Sequence, residues 1–229
     1  NTDDYKQINS FINLKKNEFN SNNFSLSDKE LSEDIFEVIP KKTDFVNLYN
    51  HILNYNNIKI SNIDKHLHKV LGVRKGTDHK SKKIPMYHFD AYLITILIPI
   101  LVPETNLKDK GELIIFPNIR NIHNSMFTNF IVKFFTQNIF FRYLINSSIF
   151  ITWKKKIILN LNKEKIYIFY GYKTFHGVGK LGKNINRSTL LYHIYNPHNE
   201  SFLNNLIIKR NIKKRQKEQN KNRSHITKK

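Results

Sequence analysis

Four residues of this chain are of the types that bind iron and a carboxylate: His88, Asp90, His176 and Arg187. One residue separates His88 from Asp90, and His176 follows far downstream. Two histidines and one carboxylate are the ligand set of a facial triad for non-haem Fe(II), which leaves three coordination positions open. Arg187 lies eleven positions after His176, and an arginine fork donates two parallel hydrogen bonds to one carboxylate. If they converge, these residues would make the chain an oxidoreductase that holds a dicarboxylate cosubstrate.

Strand periodicity is the first argument for convergence. Successive side chains of a strand point to opposite faces, so His88 and Asp90 point the same way if residues 86–101 open as a strand. The apolar, β-branched run 91–102, bounded by Pro103, predicts a buried strand continuing from that pair. Asp90 is expected at the beginning of this strand or in a bend, where its carboxylate can turn toward an ion.

A hairpin is the second argument for convergence. Residues 165–172 and 188–195 are predicted strands, and the glycine-rich segment between them supplies turn chemistry. The midpoint between His176 and Arg187 falls inside this turn. An antiparallel hairpin closing there would set Arg187 across from His176, with both side chains facing one cavity.

The ordered set resembles the Fe(II)/2-oxoglutarate-dependent dioxygenase superfamily, whose motif is HxD…H…R on a double-stranded β-helix. The resemblance implies that His88, Asp90 and His176 are the catalytic iron ligands. It implies also that Arg187 binds the far carboxylate of 2-oxoglutarate, assisted by the hydroxyl of Thr189. The implied cofactors are Fe(II), the cosubstrate 2-oxoglutarate and O2.

Two further segments are similar to that superfamily. Gly111-Glu112-Leu113 precedes an apolar strand, and Phe175-His176-Gly177-Val178 surrounds the distal histidine. The resemblance covers about residues 85–197, roughly half of the chain. One departure concerns the long interval between Asp90 and His176, where residues 118–156 are predicted to be an insertion.

The expected fold class is mainly β with flanking helices, built on a double-stranded β-helix or jelly-roll (cupin-like) core. Residues 1–75 are predicted to be a helical support region and residues 76–205 the catalytic core, with an apolar insertion at about 118–156. Residues 206–229 carry ten Lys or Arg after position 208 against one Glu and are predicted to be a disordered basic tail.

Three helices are predicted in the support region. Ser27 and Glu30 form the sequence of a capping box that opens the first helix, which ends near Pro40. Thr43 begins the second helix, and Ser61 begins the third. The third prediction rests on one-face spacing of four apolar residues: Ile63, Leu67, Val70 and Leu71.

The other histidines are weaker candidates. On the third predicted helix, His66 and His68 are two positions apart and could not chelate one ion. His193 shares the Arg187 strand and could line the cavity. The remaining five are expected to face solvent: His51, His79, His123, His198 and His225.

The net charge of +20 raises the alternative of a basic binding protein. The tail could attract nucleic acid or an anionic surface, but no RNA-binding aromatic signature, zinc knuckle or helix-turn-helix pattern accompanies it. The chain has no cysteine, which excludes disulfides and thiolate metal sites. No uninterrupted apolar stretch reaches the ~20 residues of a spanning helix, and the expected location is cytoplasmic.

The resemblance implies an oxygenase that hydroxylates a C–H bond of a small molecule or peptidyl side chain and releases succinate and CO2. Asp90 argues against halogenation, because halogenating relatives lack this carboxylate. Two alternatives remain open. One is a cupin-like metal enzyme that does not use 2-oxoglutarate, in which Arg187 would be incidental. The other is a non-catalytic, basic nucleic-acid-binding protein, in which the triad would be a coincidence.

Overall fold

Two antiparallel sheets and a layer of helices form the described part of the protein. This computed structural model describes residues 2–60, 63–76, 87–103, 109–122, 127, 131, 143, 147 and 155–198. The α-helices are α1 (Thr2–Phe19), α2 (Asp34–Val38) and α3 (Thr43–Tyr55). The strands are β1 (Phe24–Ser27), β2 (Leu67–Lys75), β3 (Ile94–Leu101), β4 (Leu113–Phe116), β5 (Ile157–Leu159), β6 (Tyr167–Phe169), β7 (Phe175–Val178) and β8 (Asn186–Ile194). Short 3-10 helices cover Asp28–Glu30, Ile39–Lys41 and Ile63–His66.

The large sheet has five strands in the order β1-β2-β8-β3-β6, and the small sheet has three in the order β5-β4-β7. All neighbouring strands run antiparallel. The sheets pack face to face, because Leu97 and Leu191 of the large sheet contact Leu113 and Ile115 of the small sheet. This arrangement confirms the predicted mainly β fold class and is consistent with a double-stranded β-helix core.

The main hydrophobic core lies on the other face of the large sheet. Alternate residues of β3 and β8, such as Ile96 and Tyr192, pack against Phe11, Phe36 and Leu53 of the three helices. Because strand side chains alternate in direction, each central strand points one set of side chains into this core and the other set into the space between the sheets. The helices pack on the outer face of the large sheet.

The prediction of a third helix is wrong. Only residues 63–66 are helical, as a 3-10 turn, and the following residues form β2, which pairs with both β1 and β8. Lys69, Leu71 and Val73 are buried at every second position, which is the periodicity of a strand. The apolar residues of this segment fit both periods, and long-range pairing on two sides decides for the strand.

The prediction of a hairpin between two strands is also wrong. Its two strands, β6 and β8, lie in one sheet but are separated by β3, because Ile96 pairs with Ile168 on one side and with Tyr192 on the other. His176 lies on β7 of the small sheet and Arg187 on β8 of the large sheet. The turn between them carries the chain from one sheet to the other. Turn residues reveal that the chain reverses but do not indicate which sheet each strand joins.

The capping box of Ser27 and Glu30 is present, but it opens the 3-10 helix rather than one continuous helix to Val38. The strands β1 and β2 come from the first 75 residues, which therefore contribute to the large sheet as well as to its helical cover. The predicted tail and most of the predicted insertion lie outside the described residues, and the domain division stays a prediction. In the part of the chain that is described, no helix has the length and apolarity needed to cross a membrane.

Candidate metal centre

The carboxylate of Asp90 lies between two imidazoles. Its Oδ1 is 3.6 Å from His88 Nε2, and its Oδ2 is 3.5 Å from His176 Nε2. One ligand atom from each of the three residues lies within 4.8 Å of the others, so the group could hold a metal ion. Asp90 and His176 are buried, whereas the His88 side chain is 48% exposed. The cluster therefore opens toward solvent on the His88 side.

Backbone pairing brings the first two residues to the third. His88 N–H donates to the His176 carbonyl at 2.8 Å, and His176 N–H donates to the His88 carbonyl at 3.0 Å. The segment around His88 thus adds to the β7 edge of the small sheet, while β3 begins only at Ile94 in the large sheet. Asp90 lies at this crossing point, which agrees with the expected bend.

The protonation states of the cluster suit metal binding. His176 Nδ1 is 3.0 Å from the Thr174 carbonyl, an acceptor, so Nδ1 carries the proton and Nε2 presents its lone pair to the cluster. Burial lowers the pKa of His176, although Asp90 opposes this effect. Burial would raise the pKa of Asp90, but His176, His193 and His88 hold this pKa well below its usual value. Neutral imidazoles and an ionised carboxylate are the forms that bind metals.

Two residues that adjoin Asp90 were not predicted as metal ligands or cosubstrate-binding residues. Thr95 Oγ1 donates to Asp90 Oδ2 at 2.5 Å and lies 3.0 Å from His193 Nδ1. His193 lines the space between the sheets, as its strand position suggested, and its Nδ1 is 3.8 Å from Asp90 Oδ2. Burial lowers the pKa of His193 to about 4, against the opposing effect of Asp90. The signal for Thr95 was its place as the hydroxyl residue inside an apolar, buried strand.

Gly171 makes room for this arrangement. Its carbonyl accepts the Asp90 N–H at 3.1 Å. A Cβ at Gly171 would lie 2.3 Å from Thr95 Oγ1 and 2.4 Å from Asp90 Oδ2, distances at which atoms must move. Glycine is required here for close approach rather than for its backbone angles.

Gly171→Ala should displace the Asp90 carboxylate and reduce metal affinity at least about tenfold, as is typical when residues that orient a metal ligand are disturbed. Isothermal calorimetry with Mn(II) measures the change. Gly72→Ala is the matched control, because a Cβ there would meet its nearest atom only at 3.8 Å. Equal Mn(II) affinities for the two variants would contradict this role of Gly171.

Arg120 contacts two aromatic rings and two backbone carbonyls next to the cluster. Its guanidinium carbon lies 4.1 Å from the centroid of the Phe89 ring and 3.9 Å from that of Tyr172. Its Nε donates to the Tyr172 carbonyl at 2.6 Å, and an Nη atom is 3.5 Å from the Asp90 carbonyl. Burial lowers the pKa of Arg120 to about 10, so the side chain stays charged at neutral pH. The sequence around Arg120 carries no motif that would have revealed this role.

Arg120→Met should lower the free energy of unfolding by about 2–4 kcal/mol, because a buried carbonyl loses its charged donor and two rings lose their cation–π partner. Urea denaturation followed by circular dichroism measures the loss. Arg74→Met, at an exposed arginine, should change stability by less than about 0.5 kcal/mol. Similar losses in both variants would show that Arg120 behaves as a surface charge.

Arg187 is buried on the face of β8 that also carries Thr189 and His193. Its Nε has no hydrogen-bond partner among the described residues. Burial lowers the pKa of Arg187 to about 10, and the neighbouring Arg74 adds to the effect. Thr189 is also buried and pairs with Gly72 on the adjacent strand.

Gly111 lies close to both the Arg187 side chain and a residue of the small sheet. A Cβ at Gly111, which has a φ of +72°, would lie 3.2 Å from Arg187 Cδ and 3.6 Å from Val178 Cγ1. Val178 is two residues after His176 on the same face of β7. Arg187 therefore reaches toward the strand that carries His176, although by sheet-to-sheet packing and not by the predicted hairpin pairing.

Two predictions about other histidines are wrong. His198 is buried and its Nε2 lies 3.2 Å from the Tyr172 hydroxyl, whereas solvent exposure was expected. His68 lies on β2 rather than on a helix, and its ring stacks on His193 with centroids 6.0 Å apart. His51 is exposed, as predicted.

Comparisons with known proteins give structural likenesses only. No family model matches the chain, and no curated protein matches it. One similar solved structure is SnoN, a non-heme alpha-ketoglutarate-dependent epimerase from nogalamycin biosynthesis, with 14% identity, a TM-score of 0.44, and 76% of this chain and 62% of that chain covered. This chain thus spans less than two thirds of the length of SnoN.

Two prolyl hydroxylases are also similar in structure. A Pseudomonas putida prolyl-4-hydroxylase has 8% identity and a TM-score of 0.45, with 84% of this chain and 86% of that chain covered. The viral collagen prolyl hydroxylase of Paramecium Bursaria Chlorella virus-1 has 13% identity and a TM-score of 0.43, with 83% and 89% covered. The structure brings together His88, Asp90 and His176, the three residues that the ordered motif singled out.

Proposed function

We propose that this protein is an Fe(II)- and 2-oxoglutarate-dependent oxygenase. Its reaction would hydroxylate a C–H bond of a small molecule or a peptidyl side chain and release succinate and CO2. The observation that carries the proposal is the cluster of His88, Asp90 and His176, whose donor atoms lie within 4.8 Å of one another.

The donor set fits Fe(II). Two imidazole nitrogens and one carboxylate oxygen are the ligands of non-haem iron oxygenases, and three protein ligands leave positions for a cosubstrate and O2. The Nδ1–H of His176 is held by the Thr174 carbonyl at 3.0 Å, which orients Nε2 as a ligand. Bound iron would supply the activation of O2 that no side chain of this protein can perform.

Arg187 fits the far carboxylate of 2-oxoglutarate. A buried guanidinium nitrogen without a hydrogen-bond partner is costly, and a carboxylate that accepts two parallel hydrogen bonds from the guanidinium would remove that cost. The Nε of Arg187 is buried without a partner in the described part of the chain. The hydroxyl of Thr189, two residues further on the same face, would assist Arg187.

The described residues suggest how the protein would organise the reaction. His88, at the exposed edge of the cluster, marks the side from which a substrate could approach. The ring of Phe169 lies edge-on to the His176 ring, with centroids 5.0 Å apart, and would limit access of water from the space between the sheets. The protein would thus bind and orient the reactants and exclude water from the interior side.

A cupin-like metal enzyme that does not use 2-oxoglutarate is the principal alternative. It shares the cluster but gives no reason for burying Arg187. Release of labelled CO2 from 1-[14C]-2-oxoglutarate separates the two functions. The proposal predicts release that requires Fe(II) and O2 and is lost in His176→Ala. Metal binding without any such release, with or without candidate substrates, would favour the alternative.

A further inference from the structure

A chain of polar contacts leads from Asp90 into the large sheet. Thr95 Oγ1 lies 2.5 Å from Asp90 Oδ2 and 3.0 Å from His193 Nδ1. All three side chains are buried, Thr95 to 1% exposure. Because β3 and β8 pair Thr95 directly with His193, the contact is built into the register of the sheet.

The direction of the protons in this chain follows from the donor inventory. An ionised carboxylate only accepts hydrogen bonds, so the single proton of the Thr95 hydroxyl points to Asp90 Oδ2. The hydroxyl oxygen must then accept from His193, so His193 Nδ1 carries a proton. His193 thereby fixes the rotation of the Thr95 hydroxyl, and Thr95 occupies Oδ2 of Asp90.

The His193 ring is itself held in place. It stacks on Tyr92 with centroids 5.4 Å apart and on His68 with centroids 6.0 Å apart. His68 Nδ1 in turn contacts a carboxylate oxygen of Asp28, and the other oxygen of Asp28 accepts the Lys69 N–H at 2.8 Å. The network thus runs from the 3-10 helix after β1 to the carboxylate of Asp90.

We propose that Thr95 and His193 are positioning residues that hold Asp90 as a single-oxygen ligand and thereby set the metal affinity of the site. Because Thr95 donates to Oδ2, we expect Oδ1 to be the oxygen that binds the ion. This inference rests on the proposed function, since it takes Asp90 to be a metal ligand. Because Gly171 has no Cβ, the side chains of Thr95 and Asp90 have room to approach each other.

The first test compares Thr95→Val with Thr95→Ser. Valine keeps the shape of threonine and removes the hydroxyl, whereas serine keeps the hydroxyl. The Kd for Mn(II), measured by calorimetry on the apo-protein without cosubstrate, should rise about 10–100-fold in Thr95→Val. It should stay within about threefold of the wild type in Thr95→Ser. Thermal unfolding of both apo-variants shows whether the fold is kept.

The second test uses His193, and it decides the matter even if Thr95→Val fails to fold. His193→Asn keeps an N–H donor near the position of Nδ1, whereas His193→Leu removes it. Leucine should raise the Kd for Mn(II) at least about tenfold, and asparagine should restore most of the affinity. If His193 acts through Thr95, the double variant Thr95→Val/His193→Leu should bind no more weakly than Thr95→Val alone.

The outcomes separate this inference from the proposed function. Wild-type protein that takes up neither Mn(II) nor Fe(II) would overturn both. Wild-type protein that binds Mn(II), with folded Thr95→Val and His193→Leu variants that bind it equally well, would overturn the positioning role alone. Serine and asparagine variants as weak as valine and leucine would also overturn it, because packing rather than the hydrogen bonds would then be responsible.

Discussion

His176→Ala is expected to abolish metal uptake at working concentrations and, with it, all 2-oxoglutarate-dependent turnover. Structural zinc sites with four ligands bind with about 10–16 kcal/mol, and by that scale one lost ligand costs roughly 2.5–4 kcal/mol, or about 100- to 1,000-fold in Kd. Among the described residues, the nearby His193 is not free to replace His176, because it already contacts Thr95 through Nδ1 at 3.0 Å. Mn(II) calorimetry and CO2 release measure the two losses.

The matched control for this variant is His51→Ala. His51 is an exposed histidine on α3, and its removal should leave both metal affinity and turnover unchanged. The two variants should melt within a few degrees of each other without metal. Retention of near-normal Mn(II) affinity by folded His176→Ala would remove His176 from the metal site.

Arg187→Met should abolish the preference for a dicarboxylate. Loss of one partner from a buried charge pair costs about 3–5 kcal/mol, so the Kd for 2-oxoglutarate should rise by at least about 100-fold. Affinity for 2-oxopentanoate, which lacks the far carboxylate, should hardly change, because that ligand makes no bond to the guanidinium. Displacement titrations with both keto acids on the Fe(II) protein measure this change in selectivity.

Arg187→Lys and Arg74→Met are the controls for this selectivity. Lysine keeps the charge but not the planar fork, so an intermediate affinity for 2-oxoglutarate is expected. Arg74 is an exposed neighbour of Arg187 on the adjacent strand, and its loss should alter the Kd by no more than about threefold. Unchanged discrimination between the two keto acids in Arg187→Met would assign Arg187 a purely structural role.

Part of the fold follows from sequence periodicity alone. The β-branched run before Pro103 forms β3 and the predicted strand after Arg187 forms β8, because both segments are buried and their flanks do not favour a helix. The segment 67–75 was misassigned because its apolar residues satisfy a helical spacing as well as an alternating one. Pairing with β1 and β8, which are distant in sequence, decides between the two periods.

The three candidate metal ligands were predictable because their residue types and their order along the chain are distinctive. The arrangement of strands that brings these residues together was not predictable. His176 lies in the small sheet and Arg187 in the large sheet, and no local pattern states which sheet a strand enters. Gly171 and Arg120 act through close approach and ring packing from distant segments, so only the three-dimensional structure reveals their roles.

In the proposed function, His88, Asp90 and His176 bind Fe(II) and Arg187 holds 2-oxoglutarate beside it. Anaerobic titration of the apo-protein with Fe(II) and then with 2-oxoglutarate tests this directly, by the visible charge-transfer band of the chelated cosubstrate. A band should appear in the wild type, be absent in His176→Ala, and require far more 2-oxoglutarate in Arg187→Met. Wild-type protein that retains no iron and shows no band would contradict the proposed iron and 2-oxoglutarate sites.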